Sequence, residues 1–412
     1  MLSDEVINNV VDRIVRRIEE TNTYVLKKMG ESIAKIRSLT PTQAQQLAQI
    51  MRYGGDYEKI AKALAKMSDL NIKEIYKIFH EVAKSDYRFA KQFYKYRNKK
   101  YIPYEYNQAL QNQVNAIMAV TASEYNNITR TMGFATKVNG KIVYNDIATT
   151  YQNMLDRAVL SVSQGKTTFD EEMRRIVKDL ASSGIKTIDY MSGRHYRLDS
   201  AVRMCLQGGL KNLHMETQRQ FGKEFDADGV EISVHINPAP DHELVQGKQF
   251  SNEEFDKFQN DEDSVSYDDI EFPAESEETG HDRRSIGQYN CHHKIFNVVL
   301  GVSKPLHTNK ELKEIIDRNH QEFDFDGKHY KTMYEGEQLQ RKIELELRKA
   351  KDEQIMARAS NIDDAQKAQK RINALTKKYN ELLKASGLRS QIERARVSGY
   401  HKIKVYNTLQ SN

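Results

Sequence analysis

"DGVEISVHINPAPDHELVQGKQF", Asp228–Phe250, is the stretch on which the fold turns. Its first half is dense in β-branched residues, which suit a half-buried pleated surface. That makes it the best strand candidate in a chain that otherwise reads as helix. Beyond it come a Pro-containing turn, His242, and the turn Gln246-Gly247-Lys248. Further on, "SIGQYNCHHKIF", Ser285–Phe296, sets Cys291 directly before His292 and His293, and "KIFNVVLGVS", Lys294–Ser303, is a second strand candidate. If the two strands pair, His235, His242, Cys291, His292 and His293 converge.

Three chemistries fit that convergence. Cysteine and histidine are zinc ligands, and His235, His242, Cys291 and His293 would close a tetrahedral structural site. The spacing is H-x6-H and then C-H-H, not the C-x2-C or H-x3-H of a familiar zinc module. A nuclease would use a histidine as general base beside a held metal, but no paired acidic or Asn ligand stands at a diagnostic offset. A Cys-His nucleophilic pair needs a third group to orient the base. The plainest reading has these side chains pinning turns by hydrogen bonds in a small irregular module.

Around this module the chain is helical. Only 6 prolines and 20 glycines occur in 412 residues, so helix breakers are scarce. Ser3 is a candidate cap for a first helix with Val6, Val10, Ile14 and Ile18 at four-residue steps. Thr40-Pro41 reads as a helix start. "YGGDYEKIAKALAKM" and "NIKEIYKIFHEVAK" read as two further short amphipathic helices. A longer helix is expected from Tyr104 to about Met132. Asn139-Gly140 between "ATKV" and "KIVY" predicts a hairpin. Helices resume after it, and Val202, Leu206, Leu210 and Leu213 form a core stripe in which Cys205 is a buried small residue.

Residues 252–278 carry many acidic side chains and read as a mobile acidic insertion, with no calcium-loop pattern. From Glu337 to Leu383 there is no Pro or Gly, which predicts one long charged helix. Its stripe of Ala368, Ile372, Leu375, Tyr379 and Leu382 needs a partner in this chain or on a neighbour. Gly387 is its expected C-cap. The expected fold is therefore mainly α with a small inserted α+β module, a helical N-terminal region and a long C-terminal helix. The divisions fall at 1–135 (helical), 136–225 (helical with a short hairpin), 226–305 (the module with its His/Cys cluster) and 306–412 (the long helix and tail).

Charge and composition exclude little. The 63 basic and 58 acidic side chains leave +5, too small an excess to predict nucleic-acid binding alone. The local exception is Tyr87–Tyr106, where tyrosines interleave with Arg88, Lys91, Lys95, Arg97, Lys99 and Lys100. Those six are the candidate DNA contacts. The rival reading is a helix end with packed rings and solvated cations. Two cysteines argue against a disulfide scaffold and suit a reducing compartment. No run of about 18 apolar residues spans a bilayer, and the charged N-terminus does not read as a signal peptide.

Taken in order, these stretches resemble the type-2 phage minor capsid protein family, and more distantly the Mu F-type and SPP1-type head morphogenesis proteins. "IDYMSGRHYRLDSAVRMCLQGGL" is similar to the family's Gly-Arg segment followed by a helix with an Ala-Val-Arg step. "VEISVHINPAPDHELVQGKQFS" resembles its strand ending in Ser-x-His, a Pro turn, His, and Trp-Gln-Gly-Lys. "SIGQYNCHHKIF" resembles its Asn-Cys-Arg-His segment, and a long charged C-terminal helix follows. By that match Arg194, Arg203, His235, His242, Gln246, Gly247, Lys248, Asn290, Cys291 and His293 stand on family positions. Val245 replaces the family's tryptophan, Asn237-Pro238-Ala239 replaces its Gly-Ala-Arg, and His292 replaces its arginine.

The resemblance implies a non-enzymatic structural protein of the phage head. It would sit in the virion, pass through the host cytoplasm during assembly, and act in head morphogenesis and genome packaging or delivery. Its partners would be the portal, the major capsid protein or other head proteins, and viral double-stranded DNA, with no membrane. No cofactor is expected beyond zinc at the His/Cys cluster. The alternatives are a metal-dependent nuclease or other DNA-processing enzyme using that cluster, and a plain DNA-binding protein.

Overall fold

The structure, a computed structural model, describes residues 4–37, 39–53, 56–96, 98–138, 141–164, 168–188, 195–260, 265–267, 270–272, 275–276, 281–282, 285–287, 291–360 and 364–405. The chain is mainly α, with small antiparallel sheets. Its residues group into two compact units. One takes Met1–Val11, Ile75–Ala122 and Met204–Gln338, the other Asp12–Glu74, Ser123–Arg203 and Leu339–Asn412.

In the second unit, the part of the helix Asp4–Arg37 from Asp12 onward buries Ile14, Ile18, Leu26, Met29, Ile33 and Ile36. Gly30 lets it lie close to the helix Met333–Ala359, since a Cβ there would sit 2.9 Å from that of Ala359. The helix Pro41–Tyr53 starts where expected. Thr40 and Gln43 cap each other, with Gln43 N–H donating to Thr40 Oγ1 at 3.5 Å and Thr40 N–H to Gln43 Oε1 at 3.2 Å. The hairpin also forms: Gly133–Val138 pairs antiparallel with Lys141–Asp146, Val138 opposite Lys141, and its turn residues lie outside the described ones. Lys186–Ile188 and His195–Arg197 extend it to a four-stranded sheet.

Two expected helices differ. No break separates the two short helices after the Gly-Gly pair; Asp56–Tyr96 is one helix, because "SDLN" contains neither Pro nor Gly to stop it. The long C-terminal helix is instead two, Met333–Ala359 and Ala365–Ser386. The first ends at Ser360, whose N–H and Oγ both donate to Met356 O, at 2.9 Å and 2.6 Å, and the second opens after Asp364; residues 361–363 lie outside the described ones. The apolar stripe has its partner in the same chain. Ala368, Ile372, Tyr379 and Leu382 are buried, and Gln340 Nε2 donates to Tyr379 Oη at 2.8 Å, which donates in turn to Glu344 at 3.1 Å. Gly387 caps the second helix in the left-handed conformation, φ 71°.

The first unit holds the module. Gly229–Ile232 is the central strand of an antiparallel sheet, flanked by Ile295–Val298 and Gln249–Ser251, with Ile232 opposite Ile295 and Val230 opposite Phe250. Its core is Val230, Ile232, Val245, Phe250, Phe255, Phe258, Ile286 and Ile295. The acidic insertion therefore does not begin as a loop. Asn252–Asn260 is a helix, because Phe255 and Phe258, three residues apart, give it an apolar face. Val245 is fully buried in this core. Beyond the module come the helix Asn309–Asn319 and a hairpin, Phe323–Phe325 with Lys328–Tyr330. Its two-residue turn is Asp326-Gly327, both at positive φ.

Candidate functional site

The His/Cys cluster is built by the way the central strand ends. Past Ile232 the chain stays tied to the neighbouring strand: Ser233 N–H donates to Lys294 O at 2.8 Å and Lys294 N–H to Ser233 Oγ at 2.9 Å. It then turns at Asn237, φ 56°, runs through the short helix Pro240–Glu243, and returns. The return is closed by Gly247. Its N–H donates to Ile232 O at 2.8 Å, and Ile232 N–H donates to Lys248 O at 3.1 Å. Gly247 has φ +72°, and a Cβ there would stand 2.3 Å from Leu312 Cδ2. The positive φ favours glycine at that position, and any side chain there would also push Leu312 aside. The looped segment thereby places His242 and Gln246 beside Cys291–His293.

The donor atoms of His242, Cys291 and His293 all lie within 4.8 Å of one another, and the three residues are 1%, 3% and 3% exposed. Cys291 Sγ is 3.5 Å from His293 Nδ1 and accepts His293 N–H at 3.4 Å. His293 Nε2 is 3.3 Å from Gln246 Oε1, which also accepts the backbone N–H of His235 at 2.9 Å. Since that oxygen only accepts, Nε2 of His293 must carry the proton, and its Nδ1 lone pair faces the sulfur. Burial, then the neighbouring His235 and His242, drive His293 down to a pKa of about 2, so it is neutral. Burial pushes the Cys291 thiol up, but the hydrogen bond and charge of His242, with the N–H groups of Gly287 and His293, outweigh it and bring it below its ordinary value.

His235 stands apart from the donor set. Its ring packs edge-on against His293, centroids 4.7 Å apart, while its Nε2 meets the carbonyl oxygen of His292. The four-ligand expectation is thus reduced to His242, Cys291 and His293. Among the described residues this is the one such group of three donors. Lys211, itself buried, donates to the carbonyl of Cys291 and ties the segment to the helix Leu198–Glu224. A thiol this enclosed offers no face to a macromolecular substrate, and the donor set contains no carboxylate.

The basic-aromatic segment resolves into an inside and an outside. Tyr87 and Tyr94 are buried, packed with Tyr101, Phe221 and Phe225 at centroid separations of 5.0 to 6.1 Å. These rings are not available to stack on bases. Arg88, Lys91, Lys95, Lys99 and Lys100 are exposed, with the Lys91 and Lys99 ammonium groups 5.8 Å and 5.9 Å over Tyr101 and Phe225. Arg97, Arg194 and Asn290 lie outside the described residues. Arg203 pairs with Asp12 at 2.7 Å on a half-exposed helix face, and Lys248 is half-buried.

Sequence reading missed a second buried polar cluster, within the other unit. Arg197 donates to Asp199 at 3.4 Å and to Asp352 at 3.2 Å, and Arg348 donates to Asp199 at 2.5 Å. Asn22 donates to Asp352 at 3.4 Å and accepts Ile185 N–H at 3.0 Å. Burial would raise Asp199, but Arg197 and Arg348 outweigh it and hold its carboxyl at about 2. Burial dominates at Asp352 and raises it. Only Asp199 had a local signal, as an acid opening a helix whose Oδ1 accepts Ser200 N–H at 2.8 Å.

No described helix is long and apolar enough to cross a membrane. The model of one family, phage minor capsid protein 2, matches residues 2–384. No curated protein and no solved structure gives a match.

Proposed function

Because the chain belongs to the phage minor capsid protein 2 family, we propose that this structural protein of the bacteriophage virion sits at the portal vertex of the head. There it acts in head morphogenesis and in genome packaging or delivery, and it performs no turnover. The family makes it one of several interacting head proteins; the portal, the major capsid protein and double-stranded DNA are the partners of this reading. The observation that carries it is the extent of the match, which takes in the N-terminal helices and most of the C-terminal pair as well as the module. The support is not an unpartnered apolar stripe, since the stripes at both ends of the chain are buried within it.

Two features favour scaffold over catalyst. The three clustered donors are almost fully enclosed, and Gln246 spends its oxygen on holding His293 and the His235 backbone in place. The test is to purify heads assembled without this chain. Reduced portal occupancy, DNA content or infectivity is the expected result, and normal values for all three would remove the proposal. DNA cleavage by the purified chain that His242→Ala abolishes with the fold intact would promote the nuclease instead. The exposed lysines of residues 88–100 make DNA contact a secondary reading, checked by whether affinity falls steeply with added salt.

A further inference from the structure

We propose that His242, Cys291 and His293 bind one zinc ion, which rivets the returning loop Ser233–Lys248 to the segment leading into the strand Ile295–Val298. The inference does not depend on where in the head the protein sits. It stands on three geometric observations. First, a tetrahedral zinc with Zn–S of about 2.3 Å and Zn–N of about 2.05 Å separates sulfur from nitrogen by roughly 3.6 Å; Cys291 Sγ and His293 Nδ1 are 3.5 Å apart. No separation among the three donors exceeds 4.8 Å, so small side-chain rotations bring His242 to the same distance.

Second, the tautomer is already set. A ligating histidine donates its other ring N–H to a fixed acceptor, which aims the lone pair at the metal. Gln246 Oε1 is that acceptor for His293, and the His235 backbone N–H pins the oxygen in turn. Third, the sulfur accepts the backbone N–H of His293 at 3.4 Å, as a thiolate ligand does. The Cys291 proton leaves to solvent as the Zn–S bond forms, and a water completes the tetrahedron. His235 is outside the donor set, its Nε2 being engaged with the His292 carbonyl.

The experiment uses the full-length chain from a zinc-supplemented culture, with metal content and zinc X-ray absorption as readouts. The expected result is about one zinc per chain, its shell holding one sulfur and three nitrogen or oxygen neighbours. Cys291→Ser and His242→Gln should each weaken zinc binding by roughly tenfold or more while the helical circular dichroism is kept, and His235→Gln should leave it intact. The proposal is overturned if the chain neither carries zinc nor takes it up on addition, or if the bound zinc shows no sulfur. Zinc lost from His235→Gln as fully as from Cys291→Ser would also overturn it. Should the Cys291 and His242 variants fail to fold, the absorption spectrum of the unaltered chain still decides.

Discussion

His242, Cys291 and His293 lie in one compact unit, while Arg197, Asp199, Arg348 and Asp352 lie in the other. Both groups are buried and both tie together segments far apart in sequence. In the first, a neutral His293 imidazole is held between the Gln246 amide and the Cys291 sulfur; the second is held by ion pairs. Burying neutral polar groups costs little once each has a partner. Burying ions costs several kcal/mol each, so the charged set holds only while complete. The lesson is that similar burial conceals different fragility.

The largest effect should therefore come from the charged set. Asp199→Ala strands Arg348 and half of Arg197, and should cost about 3–5 kcal/mol in a denaturant titration. A loss below about 1 kcal/mol would mean that the guanidinium groups find water, and the contrast between the units would collapse. Next is the turn that builds the neutral cluster. Gly247→Ala puts a side chain at φ +72° against Leu312 and Val234, for a loss of about 2–3 kcal/mol.

A third test concerns ionisation near the charged set. Burial raises Glu344 from 4.5 to about 7, chiefly against Arg394, which lowers it. Its contribution to stability is complete below about pH 4.5 and is lost as pH rises through about 7. Glu344→Gln keeps the acceptor for Tyr379 and cannot ionise. The stability difference between pH 5 and pH 8 should shrink by about 1–3 kcal/mol in this variant. An unchanged pH profile would place the carboxylate in contact with solvent. The smallest effect is expected at Arg203, whose ion pair with Asp12 is half-exposed. Arg203→Ala should cost about 0.2–1 kcal/mol, and a larger loss on thermal unfolding would show that exposure misjudges this contact.

Much of this was legible locally. The Asn139-Gly140 hairpin, the Thr40 helix start, the Gly387 cap and the two module strands each follow from short-range chemistry that tertiary packing did not override. Asp326-Gly327 carries the same kind of hairpin signal and turns between its two strands with both residues at positive φ. Helix ends were the least legible: a repeated apolar rhythm suggests two short helices where Asp56–Tyr96 is one, and the absence of Pro and Gly after Glu337 suggests one helix where there are two. At the candidate site the residue types and the pairing of strands were readable. The exclusion of His235, and the double role of the Gln246 oxygen, were not.

By itself the sequence determined the mainly helical class, the position of the β-bearing module, and which residue types would meet at its strand ends. These depend on periodicity and backbone preference, which act over a few residues. Only the tertiary structure decided that three donors and not four converge, that Tyr87 and Tyr94 turn inward, and that Arg197 meets Asp352 across 155 positions of chain. Such contacts arise from the closure of long loops, where the chain's path in space and not its local pattern selects the partner.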